Sequence, residues 1–176
     1  MSALQRKPIT ERGRHSPWVS SWVLVAFDGC ELTLPQHQVS ALEPALGVRP
    51  SDEIDGQAGW LLLRAERCPV YCLTHELTPL QSPAPDRRLC VVLQFGSVSF
   101  GLLCTRVESI KGDDIRTFAL PPVMQAPYAA AEGLAVYRAR VIVQCSAQSV
   151  LRFVGYVNAR DTAATDGSAD LGEVFS

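Results

Sequence analysis

The stretch VAFDGCELTL at residues 25–34 recurs 68 residues later as LQFGSVSFGL at residues 93–102. Each copy has a phenylalanine followed by a two-residue turn signal, Asp28-Gly29 in the first and Gly96-Ser97 in the second. Asp-Gly and Gly-Ser pairs between apolar, β-branched runs are typical of tight β-hairpins. The sequence therefore predicts the same hairpin twice.

The repeat extends well beyond these two hairpins. The offset of 68 residues holds without a gap from the Trp22/Cys90 pair to the Leu42/Ile110 pair. At an offset of 74, GWLLLRA overlies GLAVYRA, and one further shift places PVYCL near VIVQC. Each half then supplies about five strands, and two copies of this size indicate two small barrels that share an interface.

These patterns define one all-β domain with a short helix at its C-terminal end. We predict a flexible leader at 1–18, a domain at 19–157 with halves at about 19–85 and 86–157, and a flexible tail at 158–176. Within it, THELTPL predicts one helical turn capped by Thr74, and SAQSVLRFVGYV predicts a closing helix capped by Ser146.

Composition limits the class of protein. The chain has 176 residues, 47% of them apolar, and a net charge of -2, which disfavours both a nucleic-acid binder and a disordered chain. Its N-terminus has no apolar run of the kind found in a signal peptide, and no run is long enough for a membrane helix. We therefore expect a cytoplasmic protein without membrane insertion. Its six cysteines are interpreted as reduced, packed thiols in preference to disulfides or metal ligands.

Residues suited to catalysis or metal binding are few. A cysteine hydrolase would need Cys72 beside His75 and Glu76, but Cys72 occupies an inward strand position where a thiol is inert. Cys68 and Cys72 lie on one strand face about 13 Å apart, too far for one zinc ion. DEIDG at residues 52–56 lacks the later glutamate of a calcium loop. We therefore expect no catalytic residues, no metal and no cofactor.

The surface offers better candidates for function. Arg64 closes an apolar run, and it either anchors a partner carboxylate or pairs with Glu66. Several apolar residues either line a groove for a partner helix at the junction of the barrels or belong to the core: Leu61, Leu63, Val91 and Leu93.

Four successive blocks resemble the CheW-like domain in order and spacing. They are FDGCELTLPQHQVSAL, GWLLLRAERCPVYCL, CVVLQFGSVSFGLLCTRVESI and GLAVYRARVIVQCSAQSVL, and the likeness spans about residues 22–154. The resemblance implies two intertwined, five-stranded, SH3-like β-barrels related by a pseudo-twofold axis.

The resemblance also implies a function. Members of this family are non-enzymatic adaptors that couple chemoreceptor cytoplasmic tips to the regulatory domain of the histidine kinase CheA, in chemotaxis or in systems that control pili. Positions carried over from the family place Gly59, Arg64, Leu89 and Cys90 at a receptor-binding groove. They place Val39 and Leu42 on the side that faces the kinase.

The chain departs from the family pattern at several polar positions. Ala65 replaces the glycine after the arginine, and Ala41, Cys72 and Thr105 replace acidic residues. An alternative function is therefore a ligand-sensing β-barrel that binds a small molecule at its junction, or a diverged scaffold that no longer joins a receptor–kinase array.

Overall fold

The computed structural model describes residues 21–50, 56–126 and 129–155, which form twelve β-strands and one α-helix, α1, at 147–155. The predicted leader and tail lie outside these residues. The strands are β1 (Ser21–Phe27), β2 (Cys30–Pro35), β3 (Val39–Pro44), β4 (Gly59–Leu63), β5 (Glu66–Leu73), β6 (Pro79–Leu80), β7 (Leu89–Phe95), β8 (Val98–Cys104), β9 (Arg106–Lys111), β10 (Arg116–Ala119), β11 (Gly133–Tyr137) and β12 (Arg140–Gln144).

The strands form two six-stranded sheets that exchange strands between the two halves of the chain. The first sheet has the order β10-β11-β12-β2-β1-β9, and the second has the order β3-β7-β8-β5-β4 with β6 beside β5. The predicted halves at 19–85 and 86–157 therefore separate the copies of the repeat, while each sheet takes strands from both. The all-β class with a short C-terminal helix is confirmed. Each sheet has one strand more than predicted, because the sequence did not indicate the short β6 and β10.

Each sheet curls because its two outer strands are joined closely along the chain. In the first sheet, a single turn of 3-10 helix at Gly112–Asp114 connects β9 to β10. In the second, the chain after β3 passes through the turn Ala45–Gly47 and reaches Arg49, which bridges to Trp60 of β4. The Arg49 amide donates to the Trp60 carbonyl at 2.9 Å, and the reverse bond is 2.8 Å. These links draw the edges of each sheet together as in an SH3-like barrel.

Three apolar clusters make up the core. One lies within the first sheet and includes Trp22, Leu24 and Ile142, and another lies within the second and includes Leu61, Val70 and Val92. The third, the shared core, lies between the sheets and combines residues of both: Val23, Val25, Phe27, Leu32, Leu34, Val91, Leu93, Phe100 and Leu102. β1 and β7 are apolar on both faces because each separates the shared core from the core of its own sheet.

The repeat continues further in the structure than in the sequence alignment. Val70 pairs with Gly101 in parallel, as Gln144 pairs with Thr33, so the offset of 74 residues persists through β5 and β12. The further shift that we predicted for PVYCL and VIVQC is therefore wrong. It is not needed because both hairpins turn through two residues, Arg64-Ala65 and Arg138-Ala139.

The helical turn predicted at Thr74 is also wrong. The Leu77 amide donates to the Thr74 carbonyl, the Thr74 amide donates to the Thr78 carbonyl, and Leu77 has a φ of 63°. This tight turn reverses the chain, so that Pro79 and Leu80 pair with β5 as β6. Of the four apolar residues predicted at the junction or in the core, Val91 and Leu93 lie in the shared core, whereas Leu61 and Leu63 pack within the second sheet.

The predicted closing helix is confirmed as far as residue 155. Ser146 caps it, because the Ser149 amide donates to the Ser146 Oγ at 3.1 Å and the Ser146 amide donates to the Ser149 Oγ at 3.0 Å. Val150 and Val154 face the shared core. Residues 156 and 157 lie outside the described part of the chain.

Replacing the second residue of each hairpin turn with glycine should stabilise the fold. Ala65 and Ala139 have φ values of 70° and 60°, a region that an L-residue enters at a cost of about 1–2 kcal/mol. We expect Ala65→Gly and Ala139→Gly each to raise the free energy of unfolding by about 1 kcal/mol in urea titrations. Ala135→Gly, in the middle of β11, should lower it. A decrease for both turn variants would contradict this account of the turns.

Candidate partner-binding surface

Two arginines lie at equivalent hairpin turns and have different surroundings. Arg138, between β11 and β12, contacts Glu108 with its Nη1 3.2 Å from Oε1, and its guanidinium lies 4.7 Å from the Tyr137 ring centroid. Arg64, between β4 and β5, is exposed and forms no ion pair with any residue that the structure describes, Glu66 included. Of the two readings for Arg64, the geometry therefore disfavours local pairing with Glu66.

A polar network around two glutamates accounts for the position of Arg138. Glu31 Oε1 accepts hydrogen bonds from Arg106 and Arg140, both at 2.7 Å. Glu108 accepts one from the Tyr137 hydroxyl at 2.7 Å and one from Arg106 at 3.1 Å. These bonds cross the open end of the first barrel, because Tyr137 and Glu108 lie on strands that are not neighbours in the sheet.

The network shifts the proton affinities of its members. The hydrogen bond from Tyr137 is the main cause that lowers the pKa of Glu108, and the guanidinium groups of Arg138, Arg106 and Arg140 lower it further. The same hydrogen bond raises the pKa of the Tyr137 hydroxyl. In the second copy of the repeat, serines replace both glutamates, Ser40 at the position of Glu108 and Ser99 at that of Glu31. Arg64 therefore has no equivalent carboxylate to bind.

Gly59 and Cys90 of the predicted receptor groove do not offer side chains to a partner. Gly59 begins β4, and a Cβ there would collide with the Arg49 carbonyl, so its role is to let the chain close the second barrel. Cys90 is fully buried, and burial raises the pKa of its thiol to about 12. Both residues can shape the surface, but neither can contact a ligand directly.

The other predicted residues are more accessible. Leu42, on the outer strand β3, is 51% exposed, whereas Val39 and Leu89 are half-buried against the shared core. β3 pairs with β7, which places Leu42 opposite Val91 and Pro44 opposite Leu89. Arg64 and Leu42 thus follow or belong to the two outer strands of the second sheet, β4 and β3. Their roles in binding stay predictions.

The residues that we weighed for a hydrolase do not come together. Cys72 is fully buried in the core of the second sheet, while His75 is exposed and its Nδ1 lies 3.3 Å from Asp28 Oδ2. The His75 amide also donates to Asp28, and this bond is the main cause that lowers the pKa of the Asp28 carboxyl. Across residues 21–50, 56–126 and 129–155, no cluster of three or more metal-ligating side chains occurs.

The thiols are free and mostly buried, as predicted. Cys30 is half-buried, and the other five cysteines are buried without a disulfide. Burial raises the pKa of Cys68 to about 11 and that of Cys104 to about 12, which leaves both protonated at neutral pH. In the described part of the chain, no helix is both long and apolar enough to span a bilayer.

Sequence reasoning missed a buried arginine between the sheets. The Arg87 side chain is 2% exposed, its Nη2 donates to the Leu73 carbonyl at 3.0 Å, and its guanidinium lies 5.1 Å from the Phe27 ring centroid. It thereby joins the first sheet to the second. Its Nε and Nη1 have no hydrogen-bond partner in the structure. Its position in the Pro-rich segment QSPAPDRR gave no signal of burial.

The Glu108 network predicts a pH-dependent contribution to stability. Because the pKa of Glu108 is below its ordinary value of 4.5 in the fold, its contribution is present above that value and is lost as the pH falls through the folded pKa. We expect Glu108→Gln to lower the free energy of unfolding at neutral pH and to make it less sensitive to acid. Denaturant titrations over a series of pH values measure this. Glu66→Gln is the control, and an equal acid sensitivity in wild type and Glu108→Gln would refute the role of the network.

No family model and no curated protein matches the sequence. Among solved structures, the fold is similar to the crystal structure of the scaffolding protein TtCheW from Thermoanaerobacter tengcongensis, with a TM-score of 0.57 and 18% sequence identity. The match covers 72% of this chain and 88% of that chain. The two curled sheets, the exchanged hairpins and the C-terminal helix therefore give this chain the architecture of a diverged CheW-like domain.

Proposed function

We propose that this protein is a cytoplasmic, non-enzymatic adaptor that couples chemoreceptors to a CheA-type histidine kinase, in chemotaxis or in a pilus-type chemosensory pathway. The CheW-like fold supports the class of adaptor. The buried thiols and the separation of Cys72 from His75 agree with a protein that acts by binding. Such an adaptor changes kinase activity by holding receptor and kinase in one assembly.

The surroundings of Arg64 are the observation that carries this proposal. The fold builds the same arginine-containing hairpin turn twice, and Glu108 binds the arginine of one copy. The other copy presents Arg64 to solvent without a carboxylate among the described residues. A guanidinium held at a tight turn loses little further freedom when it binds a partner carboxylate, so this position suits protein recognition.

The strand β3 is the proposed contact for the kinase. It is an outer strand of the second sheet, and its residues alternate between exposed and half-buried. Leu42 projects outward with 51% of its surface exposed, while Val39 packs toward the shared core. An exposed leucine on an outer strand gives a partner both an apolar contact and a backbone edge to pair with.

Reversing the charge of Arg64 should weaken the receptor contact and leave the fold intact. We expect Arg64→Glu to reduce co-sedimentation with receptor cytoplasmic fragments by about tenfold, because a partner carboxylate would then meet a like charge. Arg116→Glu, which reverses an exposed arginine on β10, is the control for net charge. Unchanged recovery of every host receptor with Arg64→Glu would show that the proposed receptor contact is wrong.

Leu42→Asp should affect the kinase contact separately. The side chain is half-exposed, so we expect little change in thermal unfolding but a loss of about tenfold in affinity for the regulatory domain of the kinase. Isothermal titration with that domain measures the affinity. Leu46→Asp, at a residue that is 100% exposed and lies just beyond β3, serves as the matched control. Equal binding by wild type and Leu42→Asp would exclude β3 as the contact.

A further inference from the structure

The outer face of the β4–β5 hairpin carries a tryptophan between two arginines. The guanidinium carbon of Arg49 lies 5.1 Å from the centroid of the Trp60 ring, and that of Arg67 lies 4.6 Å from it. Leu62, two residues along β4, is 58% exposed. We call this surface, made of Arg49, Trp60, Leu62 and Arg67, the Trp60 face.

Strand register puts these side chains on one side of the sheet. Arg49 bridges to Trp60, and Leu62 pairs with Arg67 on β5. Leu61, between Trp60 and Leu62, points the opposite way into the core of the second sheet. The hairpin has Glu66 as its single acidic residue, against Arg64 and Arg67, and Arg49 adds a third positive charge beside it.

The second copy of the repeat indicates that the fold does not require this composition. On the equivalent β11–β12 hairpin, the outward positions are the aliphatic residues Leu134, Val136 and Val141. The arginines of that hairpin, Arg138 and Arg140, contact Glu108 and Glu31. The same backbone thus forms without an outward tryptophan and without arginines stacked on it. The Trp60 face is therefore a feature that the hairpin can lack and still fold.

We propose that the Trp60 face binds an acidic, amphipathic helix of a partner protein. A guanidinium stacked on an aromatic ring keeps its charge and several N–H donors available to carboxylates. Leu62 and the exposed edge of Trp60 offer the apolar contact that such a helix needs between its acidic residues. The positive charge on the face selects glutamate or aspartate over lysine in the partner.

This inference rests on the proposed function in that the partner is a protein, but it concerns a different group of side chains from the proposed contacts at Arg64 and Leu42. The probe is a synthetic helical peptide of about 18 residues, with leucines along one face and glutamates elsewhere. A second peptide has lysines in place of the glutamates. Fluorescence anisotropy of the labelled peptides measures binding to the full chain, and tryptophan fluorescence reports whether Trp60 is involved.

We expect the glutamate peptide to bind wild type at least about tenfold more tightly than the lysine peptide. Arg49→Glu should reverse this preference, and Leu62→Asp should weaken binding of the glutamate peptide. Trp60→Phe should abolish the change in tryptophan fluorescence. Arg116→Glu should behave as wild type. Circular dichroism of each variant confirms that it is folded before its affinity is compared.

Equal affinity of wild type and Arg49→Glu for the glutamate peptide would overturn the inference. So would equal affinity of wild type for the two peptides, or loss of binding with Arg116→Glu to the same extent as with Arg49→Glu. Failure of the proposed function looks different, because receptor and kinase would then not be recovered while the peptide still binds. Recovery of both partners with no peptide binding would instead reject the Trp60 face alone.

Discussion

The shared core is the constraint on which the rest of the structure depends. β1 and β7 bury both of their faces, one against the core of their own sheet and the other against the opposite sheet. A strand with two buried faces cannot remain at the surface of a single small barrel, because its second apolar face would be left in water. The two barrels therefore fold as one domain, and the repeat supplies both sides of their interface with equivalent residues. The exchange of the β1–β2 hairpin into the sheet of β9–β12 adds to this interdependence.

Charge distinguishes the two copies more than shape does. Both contain the same two-residue arginine turn, the same glycine under a backbone carbonyl and the same parallel strand pairing. In the first barrel, Glu31 and Glu108 bind the surrounding arginines and join strands across its open end. In the second, serines occupy those positions, so Arg64 has no such partner there. Duplication thus lets one barrel keep its arginine for structure while the other presents its arginine to solvent.

Contacts between the sheets are also unequal at the two hairpin turns. Phe27 is buried beneath Arg87, and the turn that follows it is held by His75. Phe95, its counterpart in the repeat, is 42% exposed. A buried guanidinium with two unpaired nitrogens is costly, so its contacts to Phe27 and Leu73 concentrate polar strain at this end of the interface.

The sequence by itself determined the all-β class, the repeat, ten of the strands and the capped helix, because hairpin turns, alternating apolar residues and a serine cap are local signals. Even the free state of Arg64 was encoded, since Ser40 and Ser99 stand where the other copy has glutamates. The short β6 and β10 had no local signal, because each exists through pairing with a neighbour that is distant from it or reached by a turn. Only the tertiary structure decided that each sheet takes strands from both copies, that Gly59 and Cys90 are hidden, and that Arg49 stacks on Trp60. These outcomes depend on which strands meet in space, and burial on both faces, which fixes that choice, is a property of the assembled sheets and not of any one segment.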